Sequence, residues 1–423
     1  MGEIWVITVY KKLPMLLYDG TMTHAMIKTH KLLTFEFLGL CFVTFVAYCN
    51  ISVFYNLFDY LRTLGMPADL RGLVIGAYSL TAMFLYLLVS PFLTPANAPR
   101  AMLSGMLVLA LCGFGYFFIH SFWGLLVLRM VNGLGQFLMG AGTMALFVTV
   151  IPQEKSGQAF AIYSVAMLLS FGTVPTVMDA LISFIPTPPH GYAGATVMLL
   201  PAALVTWQII RRRCKQAAAV ERQTFPGWAV IRANITQLPV ALLLLLNIIY
   251  MMNWSSMLFL FKGFADQKGI GNVGSFFTVQ MGLMIVMRLL AGRIFDAIDK
   301  AWMLAATFAV IALGHLGLDY LPGPWAISLV ALVFGAGMGM GNPSLNGLML
   351  EVSAPRFRPL NANLMLFAVQ GGYSLGPALG GALVGRWGYH GYFLSSIGLA
   401  LAATLLLVPL ASKKQFKPFT DGP

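Results

Sequence analysis

Long apolar stretches, separated by short polar segments, recur along the whole chain. Each is about 20 residues long, which at a helical rise of about 1.5 Å per residue is enough to cross the roughly 30 Å hydrocarbon core of a bilayer. Every backbone polar group in lipid must be satisfied within its own segment, so the pattern predicts helices. The twelve predicted spans are 32–57, 73–94, 101–119, 122–148, 158–184, 193–210, 237–260, 273–294, 301–320, 325–350, 361–384 and 391–411.

A spacing of 202 residues relates the two halves of the chain. Gly133 and Pro175 recur as Gly335 and Pro377, each 202 positions later. The chain is therefore predicted to contain two related sets of six spans. A duplicated set of spans is typical of secondary transporters.

The predicted fold class is an all-α polytopic membrane protein with twelve transmembrane helices in two pseudo-symmetric six-helix bundles. We expect a cytoplasmic N-terminal tail at 1–31 and an N-terminal bundle at 32–210. A cytoplasmic linker follows at 211–236, then a C-terminal bundle at 237–411 and a cytoplasmic tail at 412–423.

Composition agrees with a membrane protein. Of the 423 residues, 59% are hydrophobic and 9% are charged, whereas about 25% of a soluble globular chain is charged. The mean hydropathy is +0.81. Length alone would suggest two or three soluble domains, and the continuous apolar runs override that estimate.

The formal net charge of +12 raises the question of nucleic-acid binding, and the distribution of the charges answers it. With the N-terminus placed in the cytoplasm, five of the 26 Lys and Arg residues fall in predicted outer loops and two, Arg129 and Arg288, within spans. The other 19 fall in cytoplasmic loops and tails, as the positive-inside rule requires. The sequence thus predicts an integral protein of the bacterial inner membrane, with both termini cytoplasmic and no nucleic-acid partner.

Enzymatic and metal chemistry find no support in the residue pattern. The four cysteines form no CxxC pair, the six histidines are scattered, and the chain has no HExxH string. We therefore expect neither an enzyme nor a metal protein, and no cofactor apart from coupling to a proton gradient. The expected partners are a small-molecule substrate and membrane lipid, and the expected state is a monomer.

Three strings resemble elements of the major facilitator superfamily. Residues 129–135 in span four read RMVNGLG and resemble the family's R-x-x-Q/N-G-x-G element. Residues 292–296 read GRIFD, before Asp299 and Lys300, and resemble its G-x-x-x-D-R/K loop. Residues 372–381 read GYSLGPALGG and are similar to its Gly-Pro helix in span eleven. The resemblance covers about residues 32–411.

The resemblance implies roles for two sets of residues. In the family, the acidic residue of the loop between spans eight and nine is thought to latch the cytoplasmic side. The gating loop is therefore expected to comprise Gly292, Asp296, Lys300 and the supporting Arg288. The corresponding first-half loop has Ser90 and Thr94 in place of the glycine and the acid. The positions implied in helix bending and packing are Gly133, Gly135, Pro175, Gly376 and Pro377.

Arg129 and Glu36 are the candidates for proton or anion coupling, because a charge inside the membrane costs at least about 2.5–3.5 kcal/mol at a helix centre. The resemblance implies that Arg129 tunes a proton site or binds an anionic substrate; a structural arginine that binds helix carbonyls is the alternative. Glu36 either titrates during transport or is a solvated acid at a helix start. Asp179, His315 and Asp319 lie near outer helix ends, where we expect them to be solvated.

Neutral polar residues deep in the spans are the candidates for a substrate pocket. Together with aromatic and methionine walls they would suit a moderately polar or amphipathic organic solute. Hydrogen bonding between helices, worth about 0.6 kcal/mol for each pair, is the alternative role for any one of them. The candidates are Asn50, Tyr78, Gln136, Tyr163, Tyr250, Asn253, Gln280, Asn342, Asn346 and Gln370.

These features predict a secondary active transporter that moves a small organic solute by alternating access. Proton-coupled efflux of a drug-like or metabolite solute is the leading interpretation. Uptake or facilitated transport of a polar metabolite or organic anion is the alternative within the same class. A membrane sensor or receptor on the same fold, which does not transport, is the alternative of another class.

Overall fold

The structure, a computed structural model, describes residues 32–152, 155–213, 227–321, 324–354 and 357–407. Helices make up its regular structure, which confirms the predicted all-α class. The helices of the first half are α1 (Phe35–Ser52), α2 (Leu57–Thr63), α3 (Ala68–Leu88), α4 (Ala98–Gly115), α5 (Phe122–Val150), α6 (Ser156–Ala180), α7 (Pro188–Val197) and α8 (Leu199–Arg213). Those of the second half are α9 (Trp228–Ile235), α10 (Leu238–Gln267), α11 (Val273–Ala297), α12 (Lys300–Tyr320), α13 (Pro324–Val352) and α14 (Arg358–Leu406).

Ten helical segments among the described residues are long and apolar enough to cross a membrane. α1 and α2 are joined by a 3-10 turn, Val53–Asn56, into one of these segments, Phe35–Thr63. α7 and α8 likewise form one segment, Pro188–Arg212. α11 adds the shorter apolar stretch Val273–Leu289. The chain is therefore a polytopic membrane protein.

The longest segment, Leu360–Leu406, contains two crossings. Its 47 residues would extend about 70 Å as one straight helix, about twice the thickness of the hydrocarbon core. The helix α14 breaks at Gly388, where φ is 69° and ψ is −174°. A positive φ is readily adopted only by glycine, so the chain can reverse there between the arms 358–387 and 389–406.

Hydropathy misplaced the start of the second span, predicted at 73, whereas α3 begins at Ala68. Pro67 stands at the N-cap position, and the polar residues Asp69 and Arg71 belong to the first turns of the helix. Acidic residues are favoured at a helix start by the macrodipole. A hydropathy window counts such residues as loop, which explains the error.

We call the side of the molecule on which α1 begins the predicted cytoplasmic face. The opposite side is the predicted outer face. The two halves of the chain meet along α3 with α14, along α6 with α11, and between the 3-10 turn with α2 and α10. The contacts of the 3-10 turn and α2 lie towards the predicted outer face, because these elements form the last part of the first span.

Two glycines allow the closest approach between the halves. Gly72 in α3 lies against the backbone of Pro377 in α14, and Gly274 in α11 lies against the backbone of Pro175 and Thr176 in α6. A Cβ atom at either glycine would overlap the facing backbone. Gly72 and Gly274 are 202 positions apart, and so are Pro175 and Pro377. The two glycine–proline contacts near the predicted outer face are therefore related by the internal repeat of the chain.

A short helix connects the halves at the predicted cytoplasmic face. α9 lies within the segment predicted as a linker, and Ile231 packs there against Leu360 and Leu364 of α14. The Asn234 side chain donates a hydrogen bond of 2.5 Å to the side-chain oxygen of Asn361. This part of the linker is therefore held against the second half of the chain.

Candidate functional site

Six side chains lie close to one another between the two halves, and we call them the central layer. Tyr48 lies within electrostatic range of Tyr86 and of Tyr373, although Tyr373 belongs to the other half of the chain. Counted along their helices, Tyr48, Tyr250 and Tyr373 lie about 18–22 Å from the predicted cytoplasmic ends. The layer comprises Tyr48 in α1, Tyr86 in α3, Phe171 in α6, Tyr250 in α10, Arg288 in α11 and Tyr373 in α14.

The central layer consists of three pairs of repeat-related positions. Each pair is separated by 202 residues: Tyr48 and Tyr250, Phe171 and Tyr373, and Tyr86 and Arg288. Two pairs are aromatic on both sides, and the third replaces an aromatic residue with a cation. The two halves therefore present equivalent surfaces to each other, except for the charge of Arg288.

The layer borders an internal space. Tyr48, Tyr86, Arg288 and Tyr373 are surrounded by protein, yet each keeps part of its surface accessible. Accessible surface deep inside a protein marks a gap between packed elements. Tyr250, which was predicted to face a pocket, thus shares this region with tyrosines that the sequence did not single out.

Arg288 carries the charge of the central layer. Its guanidinium lies within electrostatic range of the hydroxyl groups of Tyr48, Tyr250 and Tyr373. Its buried Nε atom has no hydrogen-bond partner, and no ion pair to Arg288 occurs within the described part of the chain. A cation at this depth is costly unless it is solvated or paired, so the internal space must supply water or an anion.

Arg129 occupies a different environment in the first half. Its side chain is 1% exposed, and its guanidinium lies 4.6 Å from the ring centroids of both Phe54 and Tyr78. One Nη atom donates a 3.5 Å hydrogen bond to the Ile75 carbonyl, while Nε and the other Nη have no partner. The hydroxyl of Tyr116 lies beside the guanidinium. The two aromatic rings stabilise this buried cation through cation–π interactions.

The expectation that Asp179 is solvated is wrong. One carboxylate oxygen accepts a 2.5 Å hydrogen bond from the Tyr55 hydroxyl, and the other accepts a 2.6 Å bond from the backbone N–H of Gly274. Gly274 is the second residue of α11, so the carboxylate of the first half binds the N-terminus of a helix of the second half. The partial positive charge of a helix N-terminus favours this arrangement.

Two threonines extend the Asp179 contact toward the centre. The hydroxyls of Thr176 and Thr278 are 2.5 Å apart, Thr176 donates to the Gly274 carbonyl at 2.9 Å, and Thr278 donates to the Gly172 carbonyl at 2.7 Å. These bonds join α6 to α11. We call the residues Tyr55, Gly172, Thr176, Asp179, Gly274 and Thr278 the outer contact.

The other two groups expected to be solvated behave differently. His315 is 0% exposed and lies among Phe334, Tyr392 and Phe393 in the second half, so that expectation is wrong for it. The Asp319 side chain is 8% exposed and accepts a 2.7 Å hydrogen bond from the exposed His390 ring, so the expectation is wrong for it as well. Neither group contacts the central layer.

Several of the predicted pocket residues lie at or beside the central layer. The Tyr250 hydroxyl donates a 2.5 Å bond to the Met338 carbonyl. Tyr163 is within electrostatic range of Tyr48, and Tyr78 covers Arg129. Buried atoms without a hydrogen-bond partner occur on three further candidates, Gln136, Asn253 and Gln280.

Other predicted pocket residues are engaged elsewhere. Asn50 donates to the carbonyls of Val46 and Ala195 and so joins α1 to α7. Asn346 is exposed and donates to the side chain of Asn342 at 2.7 Å. Gln370 is half-buried in α14.

The remaining predicted residues lie at helix ends or at packing contacts. Glu36 is half-buried in the first turn of α1, which is capped by Thr34. Lys300 donates a 2.5 Å hydrogen bond to the Glu351 carboxylate, between the start of α12 and the end of α13. Gly292 and Asp296 belong to α11, and their side chains lie outside the described part of the structure, as do both predicted tails.

The predicted packing positions lie where helices approach closely. Gly133 faces the Tyr78 carbonyl, Gly135 faces the Gly105 carbonyl, and Gly376 faces α10 at Met252 and Ser255. Pro175 and Pro377 lie at the contacts between the halves described above.

Sequence reasoning missed Tyr48, Phe171, Tyr373 and the position of Arg288 in the layer. Each aromatic residue looks like an ordinary core residue in an apolar span. The 202-residue spacing was the available signal, since it pairs Tyr48 with Tyr250 and Tyr86 with Arg288. Among the described residues, no group of three or more His, Cys, Asp or Glu side chains could hold a metal ion.

Comparison with known proteins identifies the fold. The sequence matches the profile of the Major Facilitator Superfamily over residues 40–358 and 243–422. No curated protein matches it.

Solved structures of transporters share the fold at low sequence identity. A crystal structure of the nucleoside transporter NupG has a TM-score of 0.68 at 14% identity and covers 89% of this chain and 99% of its own. The peptide transporter POT, as a mutant in complex with sulfate, has a TM-score of 0.71 at 13% identity, with 89% and 94% covered. A POT family transporter in complex with 5-aminolevulinic acid has a TM-score of 0.72 at 12% identity, with 89% and 96% covered.

Proposed function

Because the chain belongs to the Major Facilitator Superfamily, we propose that it is a secondary transporter that carries a small organic solute by alternating access. The observation that carries the proposal is the combination of the central layer with the outer contact. The layer borders an internal space between the two halves, while hydrogen bonds join the halves at one face. A solute bound in the layer would then exchange with the predicted cytoplasmic face in this conformation.

The chemistry of the outer contact suits a reversible gate. It consists of hydrogen bonds and of close backbone approaches at Gly72 and Gly274, and no covalent bond joins the halves there. Opening would expose the carboxylate of Asp179 and the threonine hydroxyls to water, which can replace their hydrogen bonds. The free energy of opening is therefore small compared with that of unfolding either bundle.

Export of the solute in exchange for protons is the proposed direction and coupling. The described acids in spans lie near helix ends, and Asp179 is the one that bonds across the two halves. The Tyr55 hydroxyl that binds it also lies within electrostatic range of Asp266 on α10, which is paired with Lys262. Loss of the charge at this position would weaken the bond to the N-terminus of α11, which would link coupling to opening of the gate.

Small organic solutes are the proposed cargo, as they are for the solved transporters named above, which carry nucleosides or peptides. Uptake or facilitated passage by the same route is the alternative direction. A receptor that binds a solute without moving it is the alternative function.

A cross-linking experiment tests alternating access directly. The pair Thr176→Cys and Thr278→Cys, in a background without the four native cysteines, replaces hydroxyls that are 2.5 Å apart and lie within reach of a disulfide. Flux into proteoliposomes would be measured for a nucleoside, a dipeptide, 5-aminolevulinic acid and an aromatic carboxylate. Oxidation should abolish flux and reduction should restore it, while each single-cysteine variant should be unaffected.

Two results would contradict the proposal. Undiminished flux through the cross-linked protein would show that the outer contact does not open during transport. Ligand-induced stabilisation of the purified protein without flux of any of these solutes would favour the receptor.

A further inference from the structure

The charges of the central layer are unbalanced. Arg288 is the charged member of the layer, and its surroundings consist of tyrosine hydroxyls. The described carboxylates within spans are elsewhere. Glu36 and Asp69 lie in the first turns of α1 and α3, and Asp179 belongs to the outer contact. Asp59, Asp266, Asp319 and Glu351 are paired with Arg62, Lys262, His390 and Lys300. The protein therefore provides no counter-ion for Arg288 in the described part of the structure.

Arg288 is also placed to contact a solute, whereas Arg129 is not. Arg288 keeps accessible surface inside the protein, and its Nε atom has no partner. The Arg129 guanidinium lies over two aromatic rings, and its side chain is 1% exposed. An arginine with free N–H groups facing a low-dielectric space binds a carboxylate through two parallel hydrogen bonds.

The neighbouring groups indicate the rest of the ligand. The hydroxyls of Tyr48 and Tyr373 can donate to the same anion, whereas that of Tyr250 is already bonded to the Met338 carbonyl. Phe171 lies 5.7 Å from both Tyr48 and Trp254, ring centroid to ring centroid. This aromatic wall suits an apolar or aromatic body next to the anionic group.

One accessible cation balances one negative charge. A dicarboxylate or a doubly charged phosphate would leave a second charge unpaired in the layer, where desolvation disfavours it. A membrane potential that is negative inside also favours the exit of a monoanion, in agreement with the proposed export.

We propose that Arg288 binds the carboxylate of the transported solute, and that the solute is a monoanionic organic acid with an apolar or aromatic body. This inference rests on the proposed function, since it assigns the substrate class of the same site. It also separates Arg288 from the gating loop with which the sequence grouped it.

Matched acids and amides test the assignment. The full-length protein in detergent would be mixed with benzoate, phenylacetate and indole-3-acetate, with their amides, and with phthalate and phenyl phosphate. The monocarboxylates should raise the thermal transition, and the amides, the dicarboxylate and the phosphate should have little effect. Proteoliposomes should take up the same monocarboxylates in exchange for unlabelled acid.

Variants identify the residue. Arg288→Gln should weaken monocarboxylate binding at least about tenfold, and Arg288→Lys should weaken it as well, because lysine keeps the charge but loses the fork. Arg386→Gln removes an exposed arginine beside Trp387 near Gly388 and should leave binding unchanged. The thermal transition without ligand reports whether each variant folds.

The outcomes separate this inference from the proposed function. Flux or stabilisation by amides or other neutral solutes, without a preference for the acids, overturns the inference and leaves the transporter intact. Retention of monocarboxylate binding in folded Arg288→Gln overturns the assignment to Arg288. Absence of both binding and flux for every probe contradicts the inference and gives no support to the proposed function.

Discussion

At the scale of single residues, the two arginines within the spans show how one residue type can have two roles. Arg129 is enclosed between Phe54 and Tyr78, whose rings partly compensate its charge. Arg288 borders the internal space and has no counter-ion among the described residues. The first arrangement stabilises a buried cation within one half of the chain, and the second leaves a cation available to a solute.

A double-mutant cycle tests the role of Arg129. Tyr78→Leu removes one of the two rings and should lower the free energy of unfolding by about 2 kcal/mol more in the presence of Arg129 than in its absence. Arg129→Met should fold well, because it removes a buried charge that has one long hydrogen bond. The free energies of unfolding would be measured by denaturant titration in detergent for wild type, both single variants and the double variant.

The control for this cycle is Tyr86→Leu, at an aromatic residue of the same helix whose ring contacts Phe137. Its effect should add to that of Arg129→Met without coupling. Additive effects for Tyr78→Leu as well would show that the aromatic rings do not stabilise the arginine. Loss of folding in Arg129→Met would instead indicate that its bond to the Ile75 carbonyl is essential.

At the scale of helices, the contact between α6 and α11 depends on the end of a helix and not on apolar packing alone. Asp179 binds the N-terminus of α11, and the neighbouring threonines bond to backbone carbonyls exposed by close approach. Gly274 is needed there because a side chain would overlap the backbone of α6. A single carboxylate can therefore influence the position of a whole helix.

Asp179→Asn should shift the protein toward an open outer face. The substitution keeps the size of the side chain but removes the charge at the helix N-terminus, and we expect the ratio of closed to open molecules to fall about tenfold. Spin labels at the exposed positions Leu181 and Asn272 would report this change as a larger population at long distance.

Asp319→Asn is the matched control, because Asp319 also lies near the predicted outer face but bonds to His390 within the second half. Its label distances should match those of the wild type. Unchanged distances in Asp179→Asn would mean that apolar packing between α6 and α11 keeps the face closed without the carboxylate.

At the scale of the whole molecule, the arrangement is two related halves with an internal space between them. The repeat is visible in the contacts themselves: Gly72 faces Pro377, and Gly274 faces Pro175. Because each half supplies one glycine and one proline, the contact between the halves is pseudo-symmetric. Arg288 breaks the symmetry in the central layer, where its repeat partner is Tyr86.

The distribution of charge predicts how the molecule lies in the membrane. Reporter fusions after Gln216 and Gln415 should be active in the cytoplasm, and fusions after Pro188 and Gln267 should be active outside, because Lys and Arg concentrate in the loops predicted to be cytoplasmic. A phosphatase reporter, active outside, and a fluorescent reporter, active in the cytoplasm, would be fused at the same positions. Each serves as the control for the other. Cytoplasmic activity at Gln267 would contradict twelve crossings.

The sequence by itself determined the class of fold, because membrane helices satisfy their backbone locally and their length is set by the bilayer. It also determined the duplication, since a repeat of 202 residues is a property of the chain. It located the polar positions at which the halves were expected to meet. Helix ends such as Ala68 were less certain, because polar residues in a first turn look like loop.

Only the tertiary structure decided which side chains share a space. Asp179 and Gly274 are 95 residues apart, and no local pattern shows that a carboxylate will meet the N-terminus of a helix in the other half. Arg129 and Arg288 both appear as single charges in apolar helices. Whether rings cover such a charge or an internal space borders it depends on the rotation and packing of neighbouring helices, which are properties of the folded molecule.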